Sequence, residues 1–236
     1  MSSKNLTQAQ KVQRALDYQE IQNIMGRHMF YHAAGQHEEE LNEIWAKKHE
    51  ITWSGNGGSW VGPTVRKAYV ESHDESNRYD LEKVIKLHPE IKNTKENMGI
   101  GTLIVHTLTT PIIEVAEDGE TAQGVWYSPG IVTEIGQDGK PAPLNMWERY
   151  GVDFVKEDGE WKIWHIHMYY DAAFGPGKSW ADPPAPQPPP DPKAPKRPKT
   201  DRPPAVIYNN YSPTQVPQAL PIIPKPYKTF SDVKPY

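Results

Sequence analysis

The chain has 236 residues, a formal charge of −4 and only 36% hydrophobic residues. The length permits one large domain or two small ones, and the low apolar share implies that part of the chain joins no core. The acidic balance argues against a nucleic-acid partner, and the absence of cysteine excludes disulfides, thiolate metal sites and a cysteine nucleophile. No apolar run approaches the ~18 residues of a membrane span. The N-terminus carries no apolar signal segment, so a cytoplasmic protein with no membrane partner is expected.

In chain order, residues 8–34 lack proline and repeat apolar side chains at Leu16, Ile21, Ile24, Met25 and Met29, which predicts a helix stopped by Gly35. "HEEELNEIWAKK" predicts a second, shorter helix, "EITWSG" a strand and "NGG" a turn. From Pro63 to about residue 88 the pattern is helical again, in two pieces. Four strands are then predicted over 102–115, 121–133, 144–156 and 161–170. "EDGE", "GQDGK" and a second "EDGE" separate them, each with a hairpin-favouring Asp-Gly. Helices first and an antiparallel meander afterwards indicate an α+β fold.

Composition changes near residue 181. The last 56 residues hold 17 of the 24 prolines and no glycine. Proline lacks a backbone donor and fixes φ, so residues 181–236 are set apart as an extension that forms neither helix nor sheet interior. Val206, Ile207, Tyr208, Tyr211, Ile222, Ile223, Tyr227 and Phe230 supply anchors for docking on the 1–180 domain or on a neighbouring subunit. The alternative is a disordered linker.

Four stretches in this order, "GRHMFYHAAGQ", "IWAKKHEITWSGNGGSWVGPTVRKAYV", "VHTLTTPIIEVAEDGETAQGVWY" and "ERYGVDFVKEDGEWKIWHIH", resemble the SnoaL-like branch of the NTF2-like superfamily. The resemblance spans roughly residues 11–174 and implies a cone: a curved antiparallel sheet wrapped around three N-terminal helices, with a pocket between them. It implies cofactor-free lyases, dehydratases or isomerases, but also includes non-catalytic binding domains. In length, proline-rich extension and aromatic content the sequence resembles the lignin γ-formaldehyde lyases of that group, which implies deformylation of a diaryl compound as the expected reaction. In the family the face bearing the counterparts of Trp161 and Ile163 points into the cone.

Strand alternation puts Trp161, Ile163, His165, His167 and Tyr169 on one face, so the resemblance sends His165 and His167 inward. Trp164, Ile166 and Met168 then form an apolar outer face that a second copy covers, giving a homo-oligomer, dimer or trimer. His106 occupies a strand where the resembled enzymes carry a catalytic histidine. His28, Tyr31 and His32 share one face of the first helix. His28 follows Arg27 where relatives place a tyrosine, and Gln36 stands where they place an acid. Glu148 shares parity with Tyr150 and is expected inward.

The expected catalytic set is therefore His28, Tyr31, His32, His106, Glu148, His165 and His167. Trp53, Trp60, Trp126, Tyr127, Tyr150 and Tyr169 are expected to hold a small aromatic molecule. The expected chemistry is general acid–base, with histidine near neutral pKa and tyrosine as a donor to developing negative charge. No cofactor is expected, since the sequence lacks a nucleotide fingerprint and a metalloprotease motif. The competing readings are structural histidines, a His106–His165–His167 metal site, a dehydratase or isomerase of a polycyclic substrate, and a binding domain whose ligand is the tail.

Overall fold

Thr7 and Gln10 close a capping box at the start of α1 (Gln8–Ala33): each side chain serves the other's backbone N–H, at 3.2 and 2.9 Å. The helix ends in a left-handed Gly35, with Gln36 N–H bonded to Tyr31 O and Gly35 N–H to His32 O. This closure folds α2 (His37–Glu43) back against α1. The structure, a computed structural model, describes residues 6–183, 189, 191–209 and 211–236. Among these no helix is long and apolar enough to cross a membrane.

β1 (Thr52–Gly55) and β2 (Gly58–Val61) form a hairpin. The helical stretch that follows runs as α3 (Pro63–Arg66), a π-helical turn (Lys67–Glu71) and α4 (Ser72–Leu87). Then come β3 (Leu103–His106), β4 (Thr109–Val115), β5 (Thr121–Ile135), β6 (Pro141–Glu157) and β7 (Glu160–Phe174). The run predicted over 102–115 is thus two strands on the same edge of β5. Residues 107–108 separate them, and β4 itself shifts register between Thr109 and Ile112, where Thr110 has a φ of 48° and Pro111 has no N–H to give the ladder.

The fold is α+β, with a curved, open sheet in the order β2-β1-β7-β6-β5-β3. It is mixed, not purely antiparallel. The chain from Trp45 to Ser54 runs alongside β7 in the same direction, with Trp45 opposite Ile163 and Thr52 opposite His165. The inner face buries Tyr150, Val152, Phe154 and Trp126 against Ile21, Met25 and Met29 of α1 and Val65 and Ala68 beyond β2. At one end of the cone buried Asp17 accepts from Trp161 Nε1 and Lys156 Nζ, both at 3.0 Å, so this carboxylate is spent on structure.

β7 bulges at Trp164: Asp153 faces His165, but Phe154 faces Ile163. One extra residue reverses the parity of the strand beyond it. Ile166 and Met168 therefore join Trp161 and Ile163 on the inner side. His165, His167 and Tyr169 turn outward with Asp153, Gly151 and Arg149, their ladder partners. This corrects both inferences from strict alternation: the two histidines leave the cone, and no Trp164–Ile166–Met168 outer stripe exists.

Residues from 191 onward touch the body at many points. Arg202 bridges Ser59 at the β2 edge, and Asp201 accepts from Val61 N–H at 2.8 Å. Arg149 donates to the carbonyls of Gln218 and Leu220, and Glu117 N–H to Tyr227 O. Tyr236 N–H reaches Asp153 at 2.9 Å. Tyr208 and Tyr227 are buried, whereas Ile207, Tyr211, Ile222 and Ile223 are more than half exposed. Among the expected anchors, two tyrosines with hydroxyl partners are the buried ones, and these isoleucines are not.

Candidate active site

Five of the nine histidines gather where α1, α2, the π turn and β3 meet. The α1 closure brings the buried face of α2, His37 and Glu40, against His28 and His32, which lie one turn apart. Glu40 is fully buried and accepts from Trp45 Nε1 at 2.9 Å and the Tyr69 hydroxyl at 2.7 Å. Its third contact, at 2.6 Å, is His28 Nδ1. Burial pushes the Glu40 carboxyl up, but the charge of His28 and these three donors prevail, and its pKa is lowered. An ionised carboxylate only accepts, so His28 carries its proton on Nδ1 and presents Nε2 as an acceptor when neutral.

The π turn carries Tyr69 and leads to His73, whose Nδ1 donates to Tyr69 O at 2.5 Å. The His37 and His73 rings stack at 4.3 Å, and His32 lies 5.6 Å from the His106 ring. Burial first, and neighbouring imidazoles second, lower the pKa of His32 strongly. The same causes bring His37 down to about 3 and His106 to about 4. These rings are neutral at physiological pH.

The facing wall is the inner side of β5 and β6. Glu148 accepts from the Tyr150 hydroxyl at 3.1 Å, and His106 Nδ1 lies 3.6 Å from Glu148 Oε2, beyond a hydrogen bond. Burial raises Glu148 to about 7 despite the Tyr150 bond. His28 and Tyr150 rings are 6.0 Å apart, so the two walls meet. Among the described residues two buried atoms here have no hydrogen-bond partner: His106 Nδ1 and Ser128 Oγ, Ser128 being opposite Glu148 in the ladder. Trp53 and Trp60 stack at 4.8 Å beside Tyr69, 5.0 Å from Trp53, and continue the aromatic lining.

Of the expected site residues, His28, His32, His106, Glu148, Tyr150, Trp53 and Trp60 come together. His165 and His167 do not: they are buried on the outer face, His165 bonded to Asp153 at 2.8 Å and His167 stacked on Tyr169 at 4.1 Å. Tyr169 turns outward for the same bulge, and Tyr127 lies outward under the Arg149 guanidinium. Tyr31 is also misplaced, because its hydroxyl reaches Glu43 at the α1–α2 contact. Trp126 is inner but packs on Phe154 and donates to Gln22 as core. A His106–His165–His167 metal site is excluded, since the sheet separates them. Among the described residues no histidine or acid cluster has metal-holding geometry. Sequence reasoning missed His37, Glu40, Tyr69, His73 and Ser128. His37, Glu40, Leu41 and Ile44 share one face of α2 at helical spacing, which is the signal that could have found the first two.

Two cavities of about 850 and 590 Å³ lie elsewhere, between the outer face and the tail.

The SnoaL-like domain family matches residues 13–167 of this chain. No curated protein matches it. Among solved structures it is similar to a putative scytalone dehydratase from Novosphingobium aromaticivorans DSM 12444, 14% identical over 73% of this chain and 96% of that one, with a TM-score of 0.50. It is similar to a LinA-type3 hexachlorocyclohexane dehydrochlorinase from Novosphingobium barchaimii LL02, 15% identical over 74% and 99%, TM-score 0.46. The Kfla4162 protein from Kribbella flavida aligns at 11% identity over 68% and 95%, TM-score 0.49. At such identities what is shared is the fold.

Proposed function

The chain belongs to the SnoaL-like family, and from that premise we propose that it is a cofactor-independent lyase acting by general acid–base catalysis on a bulky aromatic compound. One observation carries the reading. A histidine fixed by a carboxylate and a carboxyl with a pKa of about 7 converge where His106 Nδ1 and Ser128 Oγ have unspent hydrogen-bonding capacity. Environments that push two carboxyls in opposite directions divide base from acid. Glu40 orients His28, whose Nε2 takes the proton, and protonated Glu148 returns one to the leaving group.

In a lignin-derived diaryl diol the proton comes from the terminal hydroxyl. The carbon–carbon bond to that carbon breaks and formaldehyde leaves. The electron pair forms the stilbene double bond, and hydroxide departs as water with the proton from Glu148. A proton taken from carbon instead makes the same groups a dehydratase of a polycyclic substrate, the second reading. A binding domain has no need of this acid and base. The working form is read as a cytoplasmic homo-oligomer, with residues 1–180 as the catalytic domain and 181–236 as an extension packed on it or on a neighbouring subunit.

The test is chelator-treated protein incubated with phenolic dimers and steroid-like alcohols, followed by product masses. Loss of formaldehyde with water is expected. Loss of water alone selects the dehydratase, an unchanged mass with a shifted chromatographic retention selects an isomerase, and unchanged mass and retention across the panel select the binding domain.

A further inference from the structure

The proline-rich segment places one cation beside the histidine site. The Arg197 guanidinium lies 4.9 Å from the Trp53 ring centre and 5.7 Å from that of Trp60. Trp60 Nε1 donates to Pro198 O at 2.8 Å, which fixes the segment at this point. The Trp53 ring in turn lies 6.4 Å from His73. Among the described residues Arg197 has no hydrogen bond and no ion pair. Its neighbours, His37 and His73, are imidazoles that burial keeps neutral, and its own charge adds to that effect.

A guanidinium laid over indole rings keeps its N–H edge free, and that edge matches a carboxylate with two parallel bonds. Arg197 is exposed as a residue, while partial burial of its guanidinium against the indoles lowers its pKa, so an anion that pairs with it offsets that desolvation. We propose that Arg197 is a substrate-recognition residue and that the histidine site takes an aromatic compound bearing a carboxylate, its ring near Trp53 and Trp60 and its anion on Arg197. The inference rests on the proposed function only for the location of the site.

Benzoate and its neutral isostere benzamide are the probes, titrated into the full chain while tryptophan fluorescence is followed. Benzoate is expected to bind at least tenfold more tightly than benzamide. R197A and R197M, the latter keeping an apolar stem on the indoles, are expected to abolish that preference. R197K, a point charge without the planar fork, retains only part of it. Melting temperature and protease resistance of the tail check that each variant stays docked, and R197M decides where R197A does not. H28A, expected to lose turnover, keeps the preference, so failure of the acid–base reading and failure of this one are distinguishable. Equal binding of the two probes, no benzoate binding, or an unchanged preference in R197M overturns the proposal and leaves Arg197 as a clamp for the tail.

Discussion

The inner and outer faces of the sheet each hold a buried histidine bonded to a buried carboxylate: His28 with Glu40 inside, His165 with Asp153 outside. As a pair of residues the two are alike. Their surroundings differ. Asp153 also accepts from Gln123 at 2.8 Å and from Tyr236 N–H, and the Phe230 ring lies 6.0 Å from His165. Arg149 and Asp171, on a wall of one outer cavity, already hold each other at 2.9 Å. Inside, two unpartnered buried atoms and a carboxyl near neutral pKa accompany the dyad. The outer face has one such atom among the described residues, His167 Nε2. A histidine–carboxylate pair is thus no mark of a site, and one unpartnered atom beside it is not either; what sets the inner face apart is a carboxyl raised to about 7 next to the unspent bonding capacity.

Breaking each dyad separately tests that contrast. H28A removes the base and is expected to lower turnover by about 10²–10⁴-fold. H165A is expected to leave turnover per folded molecule unchanged, with stability falling instead. Equal losses of turnover in the two variants, measured on the same substrate, would reverse the assignment of the faces.

The next largest effect belongs to the outer carboxylate. D153A leaves His165, Gln123 and the Tyr236 N–H without their shared acceptor. Removing one partner of a buried pair costs about 3–5 kcal/mol. Urea unfolding should show that loss, while kcat at a temperature where the variant is folded stays at the wild-type value.

Glu148 sharpens the inner side through pH. A carboxyl raised to about 7 contributes stability below the ordinary carboxyl pKa, and loses it as pH rises through about 7. Relative to E148Q, the wild type should therefore lose roughly 3 kcal/mol between pH 4 and pH 8. The lowered histidines act oppositely: their contribution is present above about pH 6.5 and is lost as pH falls towards about 4 for His106. Turnover that needs protonated Glu148 falls above pH 7, and E148Q lacks that limb. A wild-type-to-E148Q stability difference that stays flat with pH would show an ordinary carboxyl.

How far the sequence revealed these faces follows the same line. The Asp-Gly turns, α1 with its Gly35 stop and the inward Glu148 and Tyr150 were legible, because turn chemistry and unbroken alternation are local. The outward turn of His165 and His167 was not. The residue that bulges is a tryptophan, Trp164, and carries no glycine signal, yet it reverses the side chains from His165 to Tyr170, until a second bulge at Asp171 restores the phase. His73 was hidden because a π turn shifts the helix phase just before it. Arg197 was hidden because nothing local says where an extended segment lies.

The smallest expected effect concerns the part of the outer face that the tail leaves bare. Val105 and Ile131 are cross-strand partners at its β3 edge, and they are 38% and 47% exposed. Leu103, Ile112, Tyr127 and Trp147 are exposed too. Their ladder partners place them on the same outer side. A lysine at 131 meets solvent in a single copy, so I131K should change folding stability by no more than about 0.5 kcal/mol. If copies of the chain associate through this patch, the same lysine buries a charge against apolar side chains and opposes assembly. Light scattering should then show the wild type as a dimer or trimer and I131K as a monomer, with the melting temperature almost unmoved at low concentration. A wild type that is monomeric at micromolar concentration would sink the proposed assembly, and an I131K oligomer of wild-type mass would move the interface away from the β3 edge.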